Sequence, residues 1–245
     1  TYWAATGNFN SQVEQYRQET LKLQKTVNEL PASTRPNLDK RYFLFIGDSY
    51  MAATVNYALI TTQNLGLSAD QYTILGINGM AITPMQNYAD VLSSLQMWTE
   101  NNPSQAAKIT DIYITLGYND STRNITKNQI QNAINNVYTY LEAHYPNVNY
   151  NLGMTGFANA SLNKLINVSK WYKEAWTKRG GKYLPRMSNV LAIPENIGND
   201  NIHPTEKGQQ YLSQYLTQAI LGQPFSFIQY LSLPVSWFTP ASGFA

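Results

Sequence analysis

The sequence predicts an α/β protein, a three-layer α/β/α sandwich built on a parallel five-stranded sheet. Short apolar runs alternate along the chain with longer segments of helical periodicity. Strands that alternate with helices pair in parallel and are covered on both faces, and right-handed crossovers place helices on both sides. With 245 residues, 43% of them hydrophobic, the chain is long enough to bury a sizeable core.

The elements follow from apolar runs bounded by turn residues. The predicted strands lie at 42–46, 71–77, 111–116, 148–154 and 190–193. The predicted helices lie at about 50–65, from Pro84 to about 101, up to Tyr145, at about 160–179 and at about 204–221. Pro146 and Gly180-Gly181 end two of these helices.

Residues 1–40 are predicted to form an N-terminal helix and a Pro-rich connector. Ser11 and Glu14 fit a capping box. Bulky or β-branched residues then follow at spacings of three and four, namely Val13, Tyr16, Thr20, Leu23, Val27 and Leu30. Two interpretations stay open: one amphipathic helix lying on its own domain, or a short oligomerising coiled coil, such as a trimer.

The C-terminal extension, 223–245, does not continue the alternation of strands and helices. Apolar residues lie two apart over most of 225–237, which is typical of a half-buried strand. Pro234 favours an edge position. This segment either packs on its own domain or forms a subunit interface, so a homo-oligomer through 11–30 and 223–245 is one expectation.

Composition excludes several classes of function. A formal net charge of +2 is too small to indicate a nucleic-acid partner. The absence of cysteine excludes disulfides, thiol catalysis and cysteine metal sites. No apolar run is long enough to span a bilayer, so no membrane partner is expected. The chain begins with Thr1, and we expect it to be a piece of a longer protein.

Polar residues follow the predicted strands and meet at one edge of the sheet, where ligands bind in such folds. Ser49 follows the first strand, where its hydroxyl can attack a carbonyl beside a helix N-terminus; it is equally suited to cap the helix. His203 and Asp200, three residues apart, can supply a base and its orienting acid, or simply form a turn. His144, in the last turn of a helix, is predicted to be structural.

Two further residues are candidates for binding an oxyanion. Asn119 follows the third strand and offers a side-chain N–H, and Gly79 follows the second and offers an accessible backbone N–H. The alternative is that Asn78-Gly79 and Asn119-Asp120 are ordinary turn and cap residues.

These motifs, in this order, resemble the SGNH (GDSL-type) hydrolase family over about 41–222. The matches are Gly47-Asp48-Ser49, Asn78-Gly79, Gly117-Tyr118-Asn119-Asp120 and Asp200-Asn201-Ile202-His203. The resemblance implies a flavodoxin-like sandwich, Ser49 as nucleophile, His203 as base and then acid, and Asp200 as its orienter. It also implies an oxyanion hole from the Ser49 and Gly79 backbone N–H groups and the Asn119 side chain, with no metal and no cofactor. Tyr50 departs from the family's frequent Leu, and Gly76 is a fallback for Gly79.

The family accepts acetylated sugars, lipids and thioesters. The 18 tyrosines suit sugar recognition, and no strongly apolar insertion suggests long acyl chains. We therefore expect a serine esterase that removes O-acetyl groups from a surface polysaccharide through an acyl-serine intermediate. The alternatives are a lipase, thioesterase or O-acyltransferase with the same triad, and a catalytically silent carbohydrate-binding or structural module. The heptads, tail, low charge and absent cysteines favour an extracellular or virion-associated setting, such as a phage tail.

Overall fold

A computed structural model describes residues 37–155, 162–184, 187–192 and 194–222. The expected N-terminal heptads and C-terminal strand lie outside these residues. Five strands form one sheet in the order β2-β1-β3-β4-β5, with every neighbouring pair parallel. Their bounds are Phe43–Gly47 for β1, Tyr72–Gly76 for β2, Asp111–Leu116 for β3, Asn149–Met154 for β4 and Lys182–Leu184 for β5. The predicted five-stranded parallel sandwich is thereby confirmed.

Helices cover both faces of the sheet. Their bounds are Ser49–Ala52 for α1, Tyr57–Asn64 for α2, Val91–Asn101 for α3, Pro103–Ala106 for α4, Tyr118–Ser121 for α5, Lys127–His144 for α6, Leu162–Lys178 for α7 and Glu206–Ile220 for α8. Hydrogen bonds place α2 on the Thr115 face and α7 on the opposite face, through Tyr57 and Tyr183. Among the described helices, none is long and apolar enough to cross a membrane.

Three predicted elements differ in the structure. The helix expected from Pro84 begins only at Val91, where Asp90 caps it by accepting the backbone N–H of Ser93. The helix expected over 50–65 is divided into α1 and α2, because Asn56 caps a new helix by accepting the backbone N–H groups of Ala58 and Leu59. The strand expected over 190–193 is wrong. Val190 and Leu191 are buried, but in a 3-10 helix over Met187–Ala192. A short apolar run fits a buried strand and a buried helical turn equally well.

The fifth strand is instead β5, directly after Gly180-Gly181. Its residues pair with β4 from Asn151↔Lys182 to Gly153↔Leu184. Gly181 makes this short connection from α7 feasible, since a Cβ there would lie 2.3 Å from Nε1 of Trp176. The same indole nitrogen donates to the carbonyl of Lys182 at 3.0 Å. Packing and pairing with β4 therefore create a strand that local composition does not indicate.

The register of the three central strands determines where the site forms. Gly47, the last residue of β1, pairs with Gly76 of β2 and with Thr115 of β3. All five residues of β1 and all six of β3 are buried, so a shift of register would expose apolar side chains. The segments that follow these strands therefore start at the same level, on one edge of the sheet.

Gly76 is predicted to be essential for this packing. A Cβ at position 76 would lie 2.3 Å from the backbone oxygen of Met51, so α1 would have to move away from β2. We expect Gly76→Ala to lower the free energy of unfolding by at least about 2 kcal/mol, measured by urea denaturation.

Gly66→Ala is the matched control, since Gly66 has φ of +66° but no atom within 4 Å of the added Cβ. It should cost about 1 kcal/mol, for the left-handed backbone alone. Equal losses for the two variants would contradict the close contact between Gly76 and Met51.

Candidate active site

Ser49 is the first residue of α1, at the carboxyl end of β1. Asp48 precedes it as the helix N-cap, and its carboxyl oxygen accepts the backbone N–H of Tyr50 at 3.1 Å. Because α1 is a single turn, it offers unpaired backbone N–H groups rather than the dipole of a long helix. Ser49 is half-buried, whereas Asp48 is completely buried.

Asp200, His203 and Ser49 form a chain of hydrogen bonds. Nε2 of His203 lies 2.8 Å from Oγ of Ser49, and Nδ1 lies 2.6 Å from Oδ2 of Asp200. Partial burial raises the pKa of Asp200, but hydrogen bonds from the His203 ring and from the backbone outweigh it and hold this pKa below its usual value. An ionised Asp200 favours the proton on Nδ1 and leaves Nε2 free to accept the serine proton.

The structure thus brings together the three residues predicted to form the triad, and their catalytic roles stay predictions. The side chains of His203 and Asp200 are 46% and 48% exposed, so the reacting atoms lie in an open site rather than a closed cavity. His144 has different surroundings: it ends α6, is exposed, and stacks on Tyr140 with ring centroids 4.2 Å apart.

Asn119 lies at the same edge as Ser49. Its Nδ2 donates to the backbone oxygen of Met80 at 3.0 Å and lies 3.5 Å from Oδ2 of Asp48. The amide therefore joins the segment after β3 to the residue beside Ser49 and to the residue after Gly79. That arrangement suits donors which converge on a developing oxyanion, and the roles of Asn119 and Gly79 there stay predictions.

The segment after β2 is fixed from the segment after β3. The carboxyl oxygens of Asp120 accept the backbone N–H groups of Ile82 at 2.9 Å and Thr83 at 3.1 Å, and the hydroxyl of Tyr172 as well. Nη2 of Arg123 donates to the backbone oxygen of Gly79 at 3.0 Å. These contacts hold Gly79 in its left-handed conformation, with φ of +77°.

Gly76, the fallback for Gly79 as an oxyanion donor, is less accessible to a ligand than Gly79. It lies within β2, and the backbone of Met51 fills the space where a Cβ would be. A ligand cannot approach it from that side, so Gly79 is the better placed of the two glycines.

Sequence reasoning missed several residues that shape this edge. The motifs that contain Asp48 and Asp120 assign these two residues no separate role, yet both are completely buried. For Tyr50 the sequence shows only a departure from the family's frequent Leu. The signal for Asp120 was its place in the Gly-x-Asn-Asp motif, but the partners of Tyr50 are distant in sequence and leave no local pattern. Within the described residues, no group of three or more His, Asp and Glu side chains is placed to hold a metal ion.

Comparison with known proteins gives matches among solved structures. No protein-family model and no curated protein matches the sequence. The lipase/acylhydrolase from Enterococcus faecalis has a TM-score of 0.53 at 17% identity, over 75% of this chain and 96% of that one. A protein described as a GDSL-like lipase, from Parabacteroides merdae, has a TM-score of 0.54 at 17% identity, over 76% and 99%.

A third match is a carbohydrate esterase family 2 enzyme with a carbohydrate-binding domain, from Corynascus thermopiles. Its TM-score is 0.58 at 16% identity, over 79% of this chain and 68% of that one. The chain has the fold of the SGNH hydrolases. The five-stranded sheet and the polar residues that follow β1 and β3 are those that the resemblance in the sequence implies.

Asp48 is expected to make the stability of this domain depend on pH. Burial raises the pKa of Asp48 to about 7, although hydrogen bonds from the backbone of Tyr50 and of Asp48 itself oppose the rise. Between the unfolded pKa of about 3.9 and pH 7, the unfolded chain releases a proton that the folded chain keeps. The free energy of unfolding should therefore fall as pH rises through this window, by at most about 4 kcal/mol.

Asp48→Asn should make that decline shallower, measured by urea denaturation at several values between about pH 4 and 8. The remaining decline is expected from Asp120, whose pKa burial also raises. The control is Asp70→Asn, at an exposed Asp whose pKa lies below its usual value because Ser68 hydrogen-bonds it. Asp70→Asn should leave the decline in place. An identical pH dependence in wild type and Asp48→Asn would show that Asp48 is not the source.

Proposed function

We propose that the protein is a serine ester hydrolase that acts through an acyl-serine intermediate. The observation that carries this proposal is the continuous set of hydrogen bonds from Ser49 through His203 to Asp200. The SGNH fold supports it independently, since three matched structures carry lipase or esterase names.

The geometry supports a two-step acyl transfer. His203 Nε2 removes the proton of Ser49 as Oγ forms a bond to the ester carbonyl, and the carbonyl oxygen becomes an oxyanion. The tetrahedral intermediate then breaks its bond to the alcohol oxygen, which leaves with the proton from His203. Water, deprotonated by the same nitrogen, attacks the acyl-serine and releases the acid and Ser49. Asp200 stabilises the imidazolium in both steps.

As substrate we propose an O-acetyl ester on a carbohydrate. The triad is open to solvent, which suits a group carried on a polymer better than a long acyl chain that has to be buried. Half-buried Tyr118 and exposed Tyr88 lie on the segments after β3 and β2, on the same edge as Ser49, and aromatic faces of this kind suit sugar rings. One matched structure is a carbohydrate esterase.

A lipase or thioesterase is the second candidate, favoured by the lipase names of two matched structures. Acyl-chain length separates the two candidates, because a long chain gains affinity only where apolar surface receives it. We also propose an extracellular or virion-associated setting and oligomerisation through the terminal segments, both from the sequence alone.

The first experiment compares p-nitrophenyl acetate, butyrate and octanoate as substrates. We expect the acetate to be cleaved at least about tenfold faster than the octanoate, and Ser49→Ala and His203→Ala to lose at least about 10³-fold in kcat/KM. His144→Ala is the matched histidine control and Ser68→Ala the matched serine control. Both lie on the surface away from the triad and should keep full activity.

A faster octanoate reaction would replace the glycan proposal with a lipid-like substrate. If wild type were inactive on all three esters, an acetylated polysaccharide would be the next substrate. Inactivity there as well would favour the alternative that the domain binds without turnover.

The rate should also depend on pH. His203 acts as a base only in its neutral form. We expect kcat/KM to rise with pH, as measured with p-nitrophenyl acetate after subtraction of spontaneous hydrolysis. A flat profile would argue against His203 as the base.

A further inference from the structure

The loop that carries His203 is closed on itself. The backbone oxygen of His203 accepts the N–H of Gly198 at 2.8 Å. Oδ1 of Asp200 accepts the backbone N–H groups of Ile202 at 2.9 Å and of His203 at 3.0 Å. These bonds determine the internal shape of the loop, but they do not determine how far the loop lies from Ser49.

Tyr50 joins this loop to the helix that carries Ser49. The phenol hydroxyl of Tyr50 donates to the backbone oxygen of Ile202 at 2.5 Å. Tyr50 follows Ser49 directly in the chain, and Ile202 directly precedes His203. The bond therefore connects the immediate neighbours of the two residues between which the proton is transferred.

The ring of Tyr50 is held in place on several sides. It is completely buried, and its centroid lies 5.5 Å from that of the His203 imidazole and 6.2 Å from that of Tyr118. The backbone oxygen of Tyr50 accepts Nε2 of Gln209 at 2.9 Å. Gln209 lies in α8, the helix that follows the His203 loop. The side chain of Tyr50 therefore contacts the loop itself, and its backbone contacts the helix after the loop.

We propose that Tyr50 is a positioning residue for the Ser49–His203 pair. Its hydroxyl holds the carbonyl of Ile202, and this keeps Nε2 of His203 within hydrogen-bonding distance of Oγ of Ser49. The inference rests on the proposed ester hydrolysis and deepens it. A leucine at position 50 could fill the same apolar space, but it has no hydroxyl to donate.

The physical need for such a contact comes from the exposure of the triad. Water competes for the hydrogen bonds of half-exposed side chains, so the bonds of His203 and Asp200 alone hold the loop weakly. A buried hydroxyl bonded to a backbone oxygen meets less competition. A displacement of about 1 Å at the reacting atoms can lower the rate on the order of a hundredfold.

The test compares Tyr50→Phe with Tyr150→Phe. The Tyr150 hydroxyl also donates to backbone oxygens, at Leu141 and Tyr145, on the face of the sheet that carries α6. Both variants thus remove one hydroxyl bonded to backbone. For Tyr50→Phe we expect kcat on p-nitrophenyl acetate to fall about 10- to 100-fold with KM within about twofold. Tyr150→Phe should keep kcat within about twofold of wild type.

A second measurement reports the position of His203 without a substrate. The chain has two histidines, so the imidazole region of an NMR spectrum holds two sets of signals. Tyr50→Phe should shift or broaden the His203 ring signals and leave those of His144 unchanged, whereas Tyr150→Phe should leave the His203 signals unchanged. Urea denaturation of both variants shows whether each is folded and how much stability it loses.

The proposal is overturned if Tyr50→Phe loses stability but keeps the wild-type kcat and the wild-type His203 signals. A wild-type protein without activity on any ester would instead overturn the proposed function. In that case the NMR comparison still decides whether Tyr50 positions His203, so the two failures are distinguishable.

Discussion

The pairing of β1 with β2 and β3 is the constraint on which the active-site edge depends. Hydrogen bonds place Gly47 opposite Gly76 and Thr115, and the burial of β1 and β3 on both faces prevents a shift of register. Three loops therefore leave the sheet at one level. The absent side chain of Gly76 lets the backbone of α1 approach β2, and Ser49 begins α1 just beyond the carboxyl end of β1.

Two buried carboxyl groups stabilise the loops at this edge, and they accept different hydrogen bonds. Asp120 loses hydration but gains two backbone N–H donors and the Tyr172 hydroxyl, so it secures the segment after β2 to α7. Asp48 accepts the N–H of Tyr50. Burial raises the pKa of both carboxyl groups despite these hydrogen bonds, and that of Asp48 to about 7. Below that pH Asp48 is mostly neutral, so it adds little negative charge beside Ser49, where an oxyanion would form.

Much of the fold was predictable because the spacing of apolar residues indicates most of the strands and helices. The exceptions are elements that form only through tertiary contacts. The apolar run that begins at Val190 lies, as far as Ala192, in a 3-10 helix, while Lys182–Leu184 becomes a strand by pairing with β4. At the site, the residue types and the sheet edge were predictable from motifs. The motifs also paired His203 with Ser49, although the two lie 154 residues apart, but the 2.8 Å distance between them depends on tertiary contacts. Tyr50 was missed because Ile202 is 152 residues away.

An open triad raises the question of what keeps its geometry, and burial around it gives the answer. His203 and Asp200 are nearly half exposed, so their mutual bond contributes little rigidity in water. By contrast, Tyr50, Asn196 and Gly208, which lie on either side of their loop, are buried. Tyr50 holds the loop from α1, and Gly208 lets the start of α8 pack against the backbone of Asn196, where a Cβ would lie 2.0 Å from the oxygen. Buried neighbours thus hold the loop in place, while the side chains of His203 and Asp200 stay nearly half exposed.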